Sequence, residues 1–246
     1  MSALGIDLAL RRRGGAFDPL SLFPGGTAGA YYDARPGLVF QDSAGMVAAG
    51  EGDPVGLLLD RSGNGHHAGQ IVAAARPILR RSASGKFYLE FDGIDDFLRA
   101  AAPLLPQPWE RISALRQIAW GANRHVLGGG TSNAGVLQQF GASANLRLFG
   151  GAGSTTANLA PVLGADEVIS ERHDGANSGI AVNEGAMVLA DYGSLAGAGI
   201  TIGASSSGAS FSNIRLYGLL MRGGPLPADA RANVRSWMAA RAGIAV

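Results

Sequence analysis

Apolar and polar positions alternate with a period of two in several short runs, and residues 87–99 show it most clearly. Phe87, Leu89 and Phe91 fall on one side and Tyr88 and Glu90 on the other, as in a strand with one face in a core. Asp92-Gly93 turns the chain, and Phe97-Leu98-Arg99 resumes an extended run. The same pattern, punctuated by Gly, Pro, Asn and Ser, predicts strands over 30–33, 38–41, 111–120, 126–127, 136–140, 146–149, 199–203 and 213–221. Residues 55–59 are apolar throughout, as in a strand buried on both faces. Residues 167–173 form the most polar strand, whose one-sided exposure marks an edge or a binding face. A hairpin joins 180–183 to 187–189 through Glu184-Gly185, and Pro103, Pro106 and Pro108 place a surface loop after residue 99. One helix is predicted, over 227–242: Pro227 and Asp229 open it, Val234, Trp237 and Met238 stripe it, and Gly243 stops it.

Residues 1–28 break the pattern. Residues 4–10 make one or two helical turns or an extended arm, ended by Arg11-Arg12-Arg13-Gly14-Gly15, and Phe17, Leu20, Leu22 and Phe23 have no apolar partner nearby in sequence. The segment reads as an attachment or oligomerisation arm seated on a sibling or partner subunit, with packing across its own domain as the alternative. Residues 29–246 then make a single domain.

Composition narrows the class. The 38 glycines and a charged fraction of only 16% fit many short strands joined by tight turns and disfavour a helical bundle. An apolar fraction of 47% argues against disorder. Basic residues exceed acidic ones by one (20 against 19), so there is no electrostatic footprint for nucleic acid. Cysteine is absent, which removes disulfides and thiolate metal sites. The first residues carry their apolar run before their basic cluster, the reverse of a secretory signal, and no run is long enough to span a membrane.

The candidate chemistry is oxygen-rich. Asp92, Asp95 and Asp96 crowd one bend, and Asp60, Ser62 and Asn64 offer oxygens at alternate positions of a second turn. Calcium, which takes six to eight oxygen ligands, suits Asp60, Asn64, Asp92, Asp95 and Asp96 as possible ligands; turn capping by the same side chains is the plainer alternative, since no DxDxDG spacing is present. Glu90 and Asp92 share a strand face, as a carboxylate pair for glycoside hydrolysis would, but a Gly-Ile turn separates them from Asp95. His66 and His67 are adjacent and point apart on a strand, which disfavours chelation.

Four pieces, VGLLLDRSGNGHHA (55–68), FYLEFDGIDDFL (87–98), IAVNEGAMV (180–188) and the stretch 213–243, resemble in order the signature segments of concanavalin A-like, laminin-G-type jelly rolls. The departure is Glu184-Gly185, where that family more often has Asn-Gly. The resemblance implies an all-β fold: an antiparallel concanavalin A-like β-sandwich with an N-terminal arm and one C-terminal α-helix. The opening residues, with DPVGLLLDRSGNG, further resemble virion proteins of tailed phages and of alphaproteobacterial gene transfer agents. That implies a non-catalytic spike or fibre protein, made in the bacterial cytoplasm and displayed on a phage-like particle. It would bind capsule or surface polysaccharide of a host bacterium, contact other virion proteins through its arm, and form a homo-oligomer for avidity. Trp109, Trp120, Arg172, His173, Asn177 and Tyr192 are the expected sugar contacts. A structural adaptor and a glycan depolymerase acting through Glu90 are the alternatives.

Overall fold

The computed structural model describes residues 17–130, 134–142, 144–151 and 159–245. In chain order the strands are β1 (Gly29–Asp33), β2 (Val39–Phe40), β3 (Leu57–Leu58), β4 (Ala68–Gly69), β5 (Ile78–Arg81), β6 (Phe87–Asp92), β7 (Leu98–Leu105) and β8 (Trp109–Gln117). They continue as β9 (His125–Gly128), β10 (Val136–Phe140), β11 (Asn145–Phe149), β12 (Asp166–His173), β13 (Gly179–Val182), β14 (Val188–Leu189), β15 (Gly197–Ile202) and β16 (Asn213–Gly223). The helix α1 (Ala228–Ala242) follows. The described pairings are all antiparallel and make two eight-stranded sheets, as the alternating pattern predicts.

One sheet runs β14-β13-β12-β8-β16-β6-β5, with β1 beside the second half of β16. The other runs β11-β10-β9-β15-β7-β4-β3-β2. We call them the front and back sheets. Their inner faces enclose the main core, which includes Leu89, Phe91, Leu98, Leu115, Leu137, Leu148, Ile169, Ile202 and Leu216.

A second apolar layer lies on the outer face of the front sheet. There Val234, Met238 and Ala239 of α1 pack on Tyr31, Ile112, Val168, Tyr217 and Leu220. Residues 17–28 join this layer. Phe23 is buried in it, Phe17, Leu20 and Leu22 flank it, and Phe17 meets Trp237 edge-on at 6.4 Å. The Arg222 guanidinium donates to the carbonyl of Leu22. This part of the expected arm therefore covers its own domain; residues 1–16, with the apolar run at 4–10, lie outside the described residues. Trp237 packs as expected and donates its indole N–H to the Tyr31 hydroxyl. Gly243 closes α1 at φ 77°, a left-handed position that suits glycine.

Two expectations are corrected. Strand β7 runs through Pro103 to Leu105 instead of ending at residue 99. On one side β7 pairs with β4 only at Arg99, so Pro103 lies where that edge is open and a missing N–H is tolerated. The apolar run at 55–59 contributes only Leu57–Leu58 to a strand, and Leu57 and Leu59 are half-buried, because this short hairpin sits at the rim of the back sheet.

Candidate active site groove

Helix α1 covers β8, β12 and the second half of β16 and leaves bare the front-sheet face over β5, β6 and the start of β16. Alternation in β6 sends Leu89 and Phe91 into the core and turns Tyr88, Glu90 and Asp92 outward. Arg80 on β5 and Arg215 on β16 flank Glu90, each with its Nε 3.3 Å from a Glu90 carboxylate oxygen. The Arg215 guanidinium also lies over the Tyr88 ring, 4.7 Å from its centroid. Beyond it, Arg116 forms a fork with Asp166 at 2.7 and 2.5 Å.

Registration explains why one end of this face gathers polar groups. Asn213 pairs with Asp92, and Ile118, just past β8, donates its N–H to the Asn213 carbonyl. Three strand ends thus finish side by side, with Trp120 next along the chain. Ala74, Arg76, Ile78, Arg80, Glu90, Asp92, Asp96, Ile118 and Asn213 line a hollow of about 450 Å3. A second hollow of about 220 Å3 shares Asp92 and Asn213 and is lined further by Trp120, Gly121, Arg124, Gln139 and Phe211. Trp120 is half-buried and held by its indole N–H on the Gly141 carbonyl, which fixes the ring at the groove wall.

The Asp92 to Asp96 bend forms the floor between the two hollows. Asp92 accepts the N–H groups of Ile94 and Asp95, and Asp96 accepts the N–H of Asp92. One carboxylate oxygen from each of Asp92, Asp95 and Asp96 lies within 4.8 Å of the others. Burial raises the Asp96 pKa to about 6; the neighbouring Asp92 and Asp95 carboxylates add to the rise, and the amide of Asp92 opposes it. Asp96 is thus a carboxylic acid able to hold its proton close to neutrality, beside the exposed Asp92. Among the described residues, this trio is where a hard cation would find three carboxylates together.

The other candidate residues are placed elsewhere. Asp60 is buried, and its two oxygens accept the N–H groups of Tyr31, Ser62 and His66 and the Ser62 hydroxyl. Asn64 donates to the carbonyls of Thr27 and Gly29. That turn fastens β1, and Asp60 has no lone pair left for calcium. Trp109, His173 and Tyr192 are buried at 1%, 1% and 0% exposure, so none offers a platform to a sugar. Arg172 donates to the carbonyl of Asn177, near the His173 end of β12. Because β8 pairs Trp109 with His173 at one end and leads to Trp120 at the other, about 27 Å of strand separates the two groups. Only Trp120 joins the acidic bend. The sequence reading missed Asn213, Arg76, Arg80 and Arg215; their partnership comes from strand order, which no local pattern announces.

The comparisons bear on the fold. No protein-family model and no curated protein matches the sequence. Among solved structures, Trypanosoma rangeli sialidase in complex with the inhibitor DANA aligns with TM-score 0.52 and 12% identity over 87% of this chain and 33% of that one. The chain thus spans about a third of the length of the sialidase it matches. An arabinofuranosidase complexed with arabinofuranosyl-alpha-1,2-xylobiose aligns with TM-score 0.56 and 11% identity, over 76% of this chain and 51% of that one. Domain 4 of AbnA, a GH43 extracellular arabinanase from Geobacillus stearothermophilus, in complex with arabinotriose, aligns with TM-score 0.54 and 12% identity, over 72% of this chain and 90% of that one. These likenesses correct the expectation of a non-catalytic, non-enzymatic attachment spike, since the neighbours named are glycoside hydrolases or parts of them. At 11–12% identity they establish the fold: a β-sandwich shared with these glycoside hydrolase structures.

Proposed function

We propose that the protein is a carbohydrate-active domain that engages a saccharide chain in the groove from Arg80 and Glu90 to Trp120. The observation that carries this reading is that the two hollows adjoin, sharing Asp92 and Asn213, with an indole at one end and a guanidinium-rich wall at the other. An aromatic face packs against the C–H side of a sugar ring while carboxylates, amides and guanidinium groups bind its hydroxyls. The neighbours crystallised with a sialidase inhibitor, an arabinofuranosyl xylobiose and arabinotriose support the ligand class.

Cleavage of a glycosidic bond is the second reading, and the Asp96 pKa of about 6 favours it. Glycoside hydrolysis uses one carboxyl that carries a proton to the leaving oxygen and a second that stays ionised. Asp96 fits the first role, and the exposed Asp92 is the carboxyl beside it, with oxygens inside 4.8 Å of each other.

Incubation with a panel of neutral and acidic polysaccharides, followed by sizing of the products and by titration of the oligosaccharides, tests both readings. Binding weakened by Trp120→Ala supports the groove. Shortened chains with wild type, and none with Asp96→Ala, support catalysis. Absence of binding across the panel overturns the proposal.

A further inference from the structure

The outer face of the back sheet carries a second constellation, independent of the groove. Strand register places His125 of β9 opposite Gln138 of β10, and Gln138 opposite Arg147 of β11, so one row crosses three strands. Val136 and Phe149 form the adjacent pair, and His125, Val136, Gln138, Arg147 and Phe149 line a hollow of about 170 Å3. The Arg147 guanidinium lies over Phe140 at 4.6 Å and over Phe149 at 5.7 Å. Its Nε is buried without a hydrogen-bond partner, and so is the Nδ1 of His125. Among the described residues no carboxylate pairs with Arg147.

Arg147 itself is half-buried, but a buried donor left without a partner is costly. A cation with no carboxylate beside it suits an anionic partner. Its surroundings restrict it further: Phe149 gives the hollow an aromatic wall, and Gln138 carries an amide beside the cation. At about 170 Å3 the hollow is smaller than the roughly 300 Å3 at which drug-sized sites begin, which suits one sugar unit.

We propose that the row His125, Gln138, Arg147 is a second saccharide subsite, which takes a carboxylate-bearing sugar through Arg147 and sets its ring against Phe149. Burial lowers the pKa of both Arg147 and His125. A bidentate guanidinium–carboxylate contact is stronger than a neutral hydrogen bond and geometrically selective.

The test titrates D-glucuronate, D-glucose and acetate into the full chain, followed by NMR shifts and calorimetry. Glucuronate is expected to bind about tenfold more tightly than glucose, with acetate weaker still. Arg147→Gln removes that preference, Arg147→Lys keeps only part of it because the fork is lost, and Trp120→Ala, in the other groove, leaves glucuronate binding intact. A melting temperature for each variant shows that it is folded; where Arg147→Gln is not, Arg147→Lys and His125→Ala carry the comparison. Equal binding of glucuronate and glucose, acetate as strong as glucuronate, or a folded Arg147→Gln that keeps the preference would each overturn the assignment.

Discussion

The imidazole of His173 lies flat on the indole of Trp109, ring centroids 3.8 Å apart and planes 5° from parallel. The two residues face each other across β8 and β12 in direct register, and the glycines at 135 and 197 give the indole room: a Cβ on either would sit 2.8 or 2.9 Å from it. Both rings belong to the interior. Burial holds the His173 imidazole below its usual pKa, with Glu171 opposing and Arg111 adding to the shift. The folded chain then resists protonating His173 while the unfolded chain does not. Stability is full above about pH 6.5 and declines as pH falls through that value. Denaturant melts from pH 8 to 5 check this, and His173→Phe should flatten that part of the profile.

Below His173, Arg111 grips Glu171 through Nε at 2.9 Å and a terminal nitrogen at 2.5 Å, and donates to the carbonyl of Gly135. Burial opposes the Glu171 charge, but Arg111 and His173 outweigh it and hold that carboxyl below its usual pKa. Removal of one partner strands the other in the core. Arg111→Met or Glu171→Leu alone should cost about 3–5 kcal/mol, and the double variant should recover most of the loss. Chemical denaturation of the four proteins gives the coupling directly.

The raised Asp96 pKa carries the opposite sign. A carboxyl whose folded pKa lies above its unfolded value stabilises the fold below the unfolded value and loses that contribution as pH rises through about 6. Asp96→Asn keeps an acceptor for the Asp92 N–H and has no charge to bury. Its melting temperature at pH 7, measured with chelator present, should exceed that of wild type by about 3 °C, and the difference should vanish near pH 4.

The segment 17–28 closes the outer layer of its own domain, so its loss should be felt as instability. Phe23 is buried at 7% exposure, and Phe23→Ala should cost about 3 kcal/mol. A variant lacking residues 1–28 should melt well below wild type. Unchanged melting would mean that the segment serves only a partner.

The fold was legible where periodicity is strong. The alternation in 87–92 and the Pro-to-Gly frame of 227–243 needed no tertiary knowledge, and both elements form within a residue or two of their expected limits. The sequence left the arm open between two readings because apolar residues without local partners look alike whether they dock on a neighbour or on Trp237, 220 positions from Phe17. The site was legible only in part. Asp92, Asp96 and Trp120 stood out by type, whereas Asn213 and Arg215 reach them through the β16–β6 pairing, a long-range register. Trp109 and His173 were misplaced for a related reason: a polar strand such as 166–173 reads as exposed unless the buried Arg111 that neutralises Glu171 is known.

The most direct measurement is a hydrogen-exchange footprint taken with the tightest-binding oligosaccharide of the panel. Saccharide seated in the Arg80-to-Trp120 groove should protect the backbone over residues 74–80, 90–96, 118–124 and 211–213, and Trp120→Ala should abolish that protection. Protection confined to the Arg172 and Asn177 end of the front sheet, or no protection at any saccharide concentration, would contradict the proposed groove.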